Sequence, residues 1–151
     1  MRTLLLALSI LILAACGDVG APSVADLTPA QQLVALDTPG PLPKNDETIV
    51  KGYQATLDDL AAKYPGTSAH DMADLSVRGQ GALEKHGVKA SLYDIITALN
   101  EATPSGLQNV AYKDAVATYA TLRAKGMDHD AAVKGLAAFL QQAKPGKTVG
   151  V

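Results

Sequence analysis

Between residues 45 and 144, apolar side chains recur at intervals of three and four, the spacing that gathers them on one face of an α-helix. In a helix predicted over 46–64, Ile49, Tyr53, Leu57, Leu60 and Tyr64 share such a stripe, and Pro65-Gly66 stops it. A second helix over 69–86 opens at Ser68 with Asp71 three residues on, a variant of the capping box. It carries Met72, Leu75, Gly79, Ala82 and Leu83, then ends at Gly87. Over 92–102 the pattern repeats with Ser91, Asp94 and an inner face of Leu92, Ile95, Ile96 and Leu99; Thr103-Pro104-Ser105-Gly106 breaks it. Tyr112, Val116, Tyr119 and Leu122 define a helix over 109–125 ended by Gly126. Asp128 caps one over 129–143 with Val133, Leu136, Ala137 and Leu140 inward. No run of period-two alternation predicts a strand. The expected fold is all-α: a compact bundle of four to five short amphipathic helices, with residues 145–151 as a tail beyond Pro145-Gly146.

The corners between these helices resemble one another. Leu83-Glu84-Lys85-His86-Gly87-Val88 aligns with Leu122-Arg123-Ala124-Lys125-Gly126-Met127 at a separation of 39 residues. Shared corner chemistry accounts for the similarity without a repeat family, since two units fall short of a solenoid.

Ahead of the bundle the pattern changes. Residues 16–44 hold Pro22, Pro29, Pro39, Pro41 and Pro43 with Gly17, Gly20 and Gly40, a composition that buries too little apolar surface to order itself and reads as a flexible tether. One exception is a short helix over 29–36, with Thr28 as N-cap and Pro29 at the first helical position, docking through Leu33 and Leu36.

At the start of the chain, Arg2 precedes an apolar run over residues 4–13 that is too short to span a bilayer and fits the apolar region of a signal peptide. Leu13-Ala14-Ala15-Cys16 follows, and it resembles the lipobox of bacterial lipoprotein signal peptides. The resemblance covers residues 1–16 only. It implies removal of residues 1–15 and a lipid anchor on Cys16, hence a place in the cell envelope. The resemblance also implies a destination. In enteric bacteria an aspartate directly after the lipidated cysteine retains a lipoprotein in the inner membrane, so Gly17 implies the outer membrane. Asp18, one place later, matters in some other bacteria and leaves the inner membrane open.

Charge and composition narrow the chemistry. Without residues 1–15, which hold one basic and no acidic residue, 136 residues carry 12 basic and 15 acidic side chains. A weakly acidic chain lacks the electrostatic footprint of a nucleic-acid binder, and the lipid must supply the membrane affinity. Cys16 is the only cysteine, which excludes disulfides, thiolate metal sites and a cysteine nucleophile in the helical domain. The chain is rich in alanine and poor in aromatics, with five tyrosines, Phe139 and no tryptophan, and a core of Ala, Leu, Val and Ile suits closely packed helices.

His70-Asp71 and Asp128-His129-Asp130 are the places where titratable groups cluster, and together they are the candidate metal ligands. No pair of histidines is spaced to share a helix face, and both clusters sit where helices begin, where aspartate caps and favours the dipole. His86 falls in a last turn, where the same dipole favours it. Gly79-Gln80-Gly81 follows no strand and does not continue as a dinucleotide fingerprint; a close helix crossing at Gly79 is expected, with the same explanation for Gly52 and Gly135. Glu47, Glu84 and Glu101 are the only glutamates, and none has the neighbouring carboxylate that glycoside hydrolysis uses. No G-x-S-x-G anchors a serine triad. Tyr53, Tyr64, Tyr112 and Tyr119 suit the core edge; alternatively they line a groove for a peptide or small apolar ligand.

The sequence therefore predicts a non-enzymatic envelope lipoprotein that needs no cofactor beyond the lipid on Cys16. It would act as an interaction or accessory module on an envelope protein partner, an inhibitor or immunity protein being one form of that role. A small-ligand or metal-binding lipoprotein is the alternative.

Overall fold

The structure, a computed structural model, describes residues 26–143 apart from Leu42, Asp46, Gln108 and Asn109. The expected leader over residues 1–15, Cys16 and the expected 145–151 tail lie outside the described residues. Among the described residues six helices follow in order: α1 (Pro29–Asp37), α2 (Thr48–Lys63), α3 (Ala69–Lys85), α4 (Leu92–Ala102), α5 (Tyr112–Ala124) and α6 (His129–Gln142). There is no strand among the described residues. None of these helices is long and apolar enough to cross a membrane.

Local chemistry sets most helix starts. Thr28 and Ser91 form reciprocal capping boxes with Gln31 and Asp94, and Ser68 and Asp128 accept from the backbone N–H groups of Asp71 and Ala131. Where the N-cap makes no side-chain hydrogen bond, the start differs from the sequence reading: α2 begins at Thr48 after Glu47, and α5 at Tyr112 after Ala111. The α3–α4 and α5–α6 corners share one geometry. Gly87 and Gly126 have φ of 72° and 90°, and the Val88 and Met127 N–H groups donate to Leu83 and Leu122 at 3.0 and 3.3 Å. The 39-residue similarity is therefore a Schellman corner used twice.

Packing is centred on α4, which meets all five other helices. Leu92, Ile95, Ile96, Ala98, Leu99 and Ala102 are all buried, more than half of this 11-residue helix. The core is one continuous cluster that begins in the segment read as tether: Leu27, Ala30, Leu33 and Val34 are buried, whereas Leu36 is 60% exposed. The short helix thus docks through Leu33 and Val34 instead of Leu33 and Leu36. Ile49 is 44% exposed and Val50 takes its inward place; Ala82 is exposed while Ala73 and Ser76 are buried. These shifts have a common cause. α2 and α3 each touch several helices, so the buried arc follows all the neighbours and not the single stripe a lone partner would select.

The close crossing expected at Gly79 is present: a Cβ there would lie 2.7 Å from Val116 Cγ1 on α5. At Gly135 it would meet Leu122 Cδ1 at 3.0 Å. Gly52 is different. Its nearest such neighbour is the Tyr93 hydroxyl at 4.0 Å, so no close packing requires glycine there.

Candidate interaction site

The face expected from Tyr53, Tyr64, Tyr112 and Tyr119 is not an open surface. All four side chains are buried, and each hydroxyl has a partner inside the fold. Thr103 Oγ1 donates to Leu99 O at 2.6 Å, so its single proton is used and the Tyr64 hydroxyl donates to it at 2.7 Å. Ser76 Oγ likewise donates to Met72 O, which makes Tyr112 the donor to Ser76 at 2.8 Å. The Tyr64 and Tyr112 rings meet edge to face at 5.2 Å. Tyr119 pairs with His129 Nδ1 at 3.0 Å. Burial raises the pKa of all four hydroxyls above the ordinary tyrosine value, because a phenolate would be stripped of water. For Tyr53 a hydrogen bond to the Asp37 carboxylate adds to the rise.

That carboxylate accepts four hydrogen bonds. Asp37 is the last residue of α1, the negative end of the helix dipole, where an acid is disfavoured. It is held there by what it meets. Oδ1 accepts from the Leu92 N–H at 2.8 Å and Gln80 Nε2 at 3.2 Å; Oδ2 accepts from the Tyr93 N–H at 3.0 Å and the Tyr53 hydroxyl at 2.5 Å. Two orphan donors of the first turn of α4 are thereby satisfied from another helix, at the positive end of its dipole. Ser91 and Asp94 serve other donors of the same turn. Gln80 also donates to Ala90 O at 2.9 Å, which ties α3 to the loop before α4. One side chain thus joins α1, α2, α3 and α4.

Beside this junction lies an apolar groove of about 460 Å³, lined by Thr48, Ile49, Gly52, Tyr53 and Tyr93. Tyr93 is 42% exposed and its ring stands 4.9 Å from that of Tyr53. The open Gly52 position forms part of the lining.

The charged candidates are dispersed. No group of three or more His, Cys, Asp or Glu side chains able to hold a metal occurs among the described residues. His70 is exposed, and Asp71 accepts from Ser68 Oγ at 2.7 Å as a capping partner. Asp128 caps α6, Asp130 is exposed in its first turn, and His129 is engaged with Tyr119. His86 is the exposed C-cap of α3. Glu84 and Glu101 are exposed, and Glu47 accepts from the Lys44 N–H.

Asp37 and Gln80 were not singled out by the sequence. The available signal was the acid in the last turn of a helix, which its own dipole opposes. No protein family, curated protein or solved structure matches the chain.

Proposed function

We propose that this chain is a lipid-anchored protein of the bacterial cell envelope that acts as a non-enzymatic interaction or accessory module on an envelope protein partner. The observation that carries the reading is Leu13-Ala14-Ala15-Cys16 after the apolar run of residues 4–13. Gly17 favours the outer membrane as the destination. The helical domain supports a binding role in place of turnover. The Tyr53, Tyr64 and Tyr112 hydroxyls and the Asp37 carboxylate are committed to joining parts of the fold, and Asp71 and Asp128 to capping helices.

A small-ligand reading is favoured by one feature, the groove at Ile49 and Tyr93. There the Tyr53 and Tyr93 rings stand 4.9 Å apart beside the open Gly52 position, an apolar lining suited to a small apolar ligand.

Expression of the full chain in a bacterial host tests the anchor. Mass spectrometry should find an N-terminal peptide beginning at lipid-modified Cys16, and Cys16→Ser should lose both the lipid and the membrane fraction. Recovery of an unprocessed N-terminus, or equal membrane partition of Cys16→Ser, would overturn the reading. Immobilised residues 17–151 should then capture one saturable envelope partner. An empty capture after cross-linking, with a thermal shift on small apolar ligands, would favour the alternative.

A further inference from the structure

Helix α1 has nine residues, too few for a stable isolated helix, so its order comes from its seat on the rest of the domain. The contacting positions are Ala30, Leu33, Val34 and Asp37, spaced i, i+3, i+4 and i+7. The first three are buried, and the fourth carries the carboxylate that meets Leu92, Tyr93, Gln80 and Tyr53. This is the arrangement by which short amphipathic helices bind grooves on other proteins. The seat is made by α2, α3 and α4, all of which contact α1. The connection onward runs through Pro39, Gly40, Pro41 and Pro43, and within it Pro43 O accepts from Gln31 Nε2 at 2.7 Å.

We propose that α2, α3 and α4 form a receptor groove for a short amphipathic helix that ends in a carboxylate, and that α1 is its resident occupant. A helix of the same chemistry, apolar at i, i+3 and i+4 and acidic at i+7, takes the groove when α1 leaves it. The apolar anchors supply affinity. The carboxylate sets register, because two backbone N–H groups, a side-chain amide and a phenol converge on it. The free α4 N-terminus and the unpaired Tyr53 and Gln80 groups then draw in the incoming acid. This inference stands independently of the lipid anchor.

The test uses the full chain, its Asp37→Asn variant, and an acetylated fluorescent peptide with the sequence of residues 27–38. In the variant, an amide NH₂ faces donors and accepts from fewer of them, so the resident helix is weakened while the groove is intact. By fluorescence anisotropy the peptide should bind Asp37→Asn saturably, and about tenfold or more tighter than it binds the unaltered chain, the loss of a charge-assisted hydrogen bond being of that order. A peptide carrying the same Asp37→Asn change should bind about tenfold more weakly, and Gln80→Ala in the receptor should weaken binding of the acidic peptide. Binding of neither peptide to any chain, or equal binding of both, would overturn the proposal. Hydrogen exchange on the unaltered chain gives a readout free of any folding defect. The Val34, Leu92 and Tyr93 amides should exchange together and about tenfold or more faster than those of Leu57 and Leu60. Exchange of all five at the rate of global unfolding would refute a detachable α1.

Discussion

Gly79→Ala probes the tightest glycine contact among the described residues. A methyl at this position would sit 2.7 Å from Val116 Cγ1, against an optimal carbon–carbon separation of about 3.5–4.0 Å. Valine in a helix has one strongly preferred rotamer, so Val116 cannot swing away, and α5 must back off α3. Overpacking of this kind costs about 1–3 kcal/mol. Against it stands the gain of about 1 kcal/mol from replacing glycine by alanine inside a helix. Gly81 supplies the internal control. It lies two residues along the same helix with nothing within 4 Å of its Cβ direction, so Gly81→Ala should receive the propensity gain alone. Urea unfolding followed by circular dichroism should therefore show Gly81→Ala stabilised by about 1 kcal/mol. Gly79→Ala should fall about 1–3 kcal/mol below it. Val116→Ala relieves the clash, so the two substitutions should couple favourably by about 1 kcal/mol or more in a double-mutant cycle. Equal stabilisation by both glycine replacements, or a cycle that closes to zero, would refute the crossing as the reason for Gly79.

Two further outcomes follow from the buried tyrosines. Because burial raises Tyr53, Tyr64, Tyr112 and Tyr119 in the folded state, the unfolded chain releases its protons first. Stability is then fully present below about pH 10, the unfolded value, and falls above it by about 1.4 kcal/mol per pH unit for each such tyrosine until the folded pKa is reached. Thermal melts should be level from neutral pH to about 9 and drop steeply beyond about 10, with Tyr112→Phe softening the drop; a melting temperature level through about pH 11 would contradict this. Ser76→Ala should cost about 1–3 kcal/mol because it strands the Tyr112 hydroxyl without an acceptor. Tyr112→Phe should cost less, since Ser76 keeps its bond to Met72 O; the reverse order in denaturant unfolding would show that another acceptor takes over.

The helices themselves were legible in the sequence because the information is local. Ser91 with Asp94, Ser68, Asp128, Gly87 and Gly126 act on groups within a turn or two, so they mark ends whatever the rest of the chain does. The glycine crossing at Gly79 was legible too, since a glycine inside a helix is unfavourable unless packing requires it. Which face of a helix points inward was legible only where one side is apolar. The 92–102 stretch kept its predicted face, while Ile49 gave way to Val50, and Leu36 to Val34. Gly52 is open because Tyr93 stands off from it, a fact about a residue 41 positions away.

The all-α class and the element order were determined by the sequence on its own, through spacing, caps and turn residues that act between near neighbours. Tertiary structure alone decided that the short helix predicted over 29–36 docks through Ala30, Leu33 and Val34 and leaves Leu36 outside, and that the four tyrosines are buried in the core instead of lining a groove. It also decided that Asp37 joins four helices. The partners of that carboxylate lie 16, 43, 55 and 56 residues away, and periodicity carries no record of distant donors. An acid at the wrong end of its own helix becomes favourable only when folding brings the right end of another helix against it.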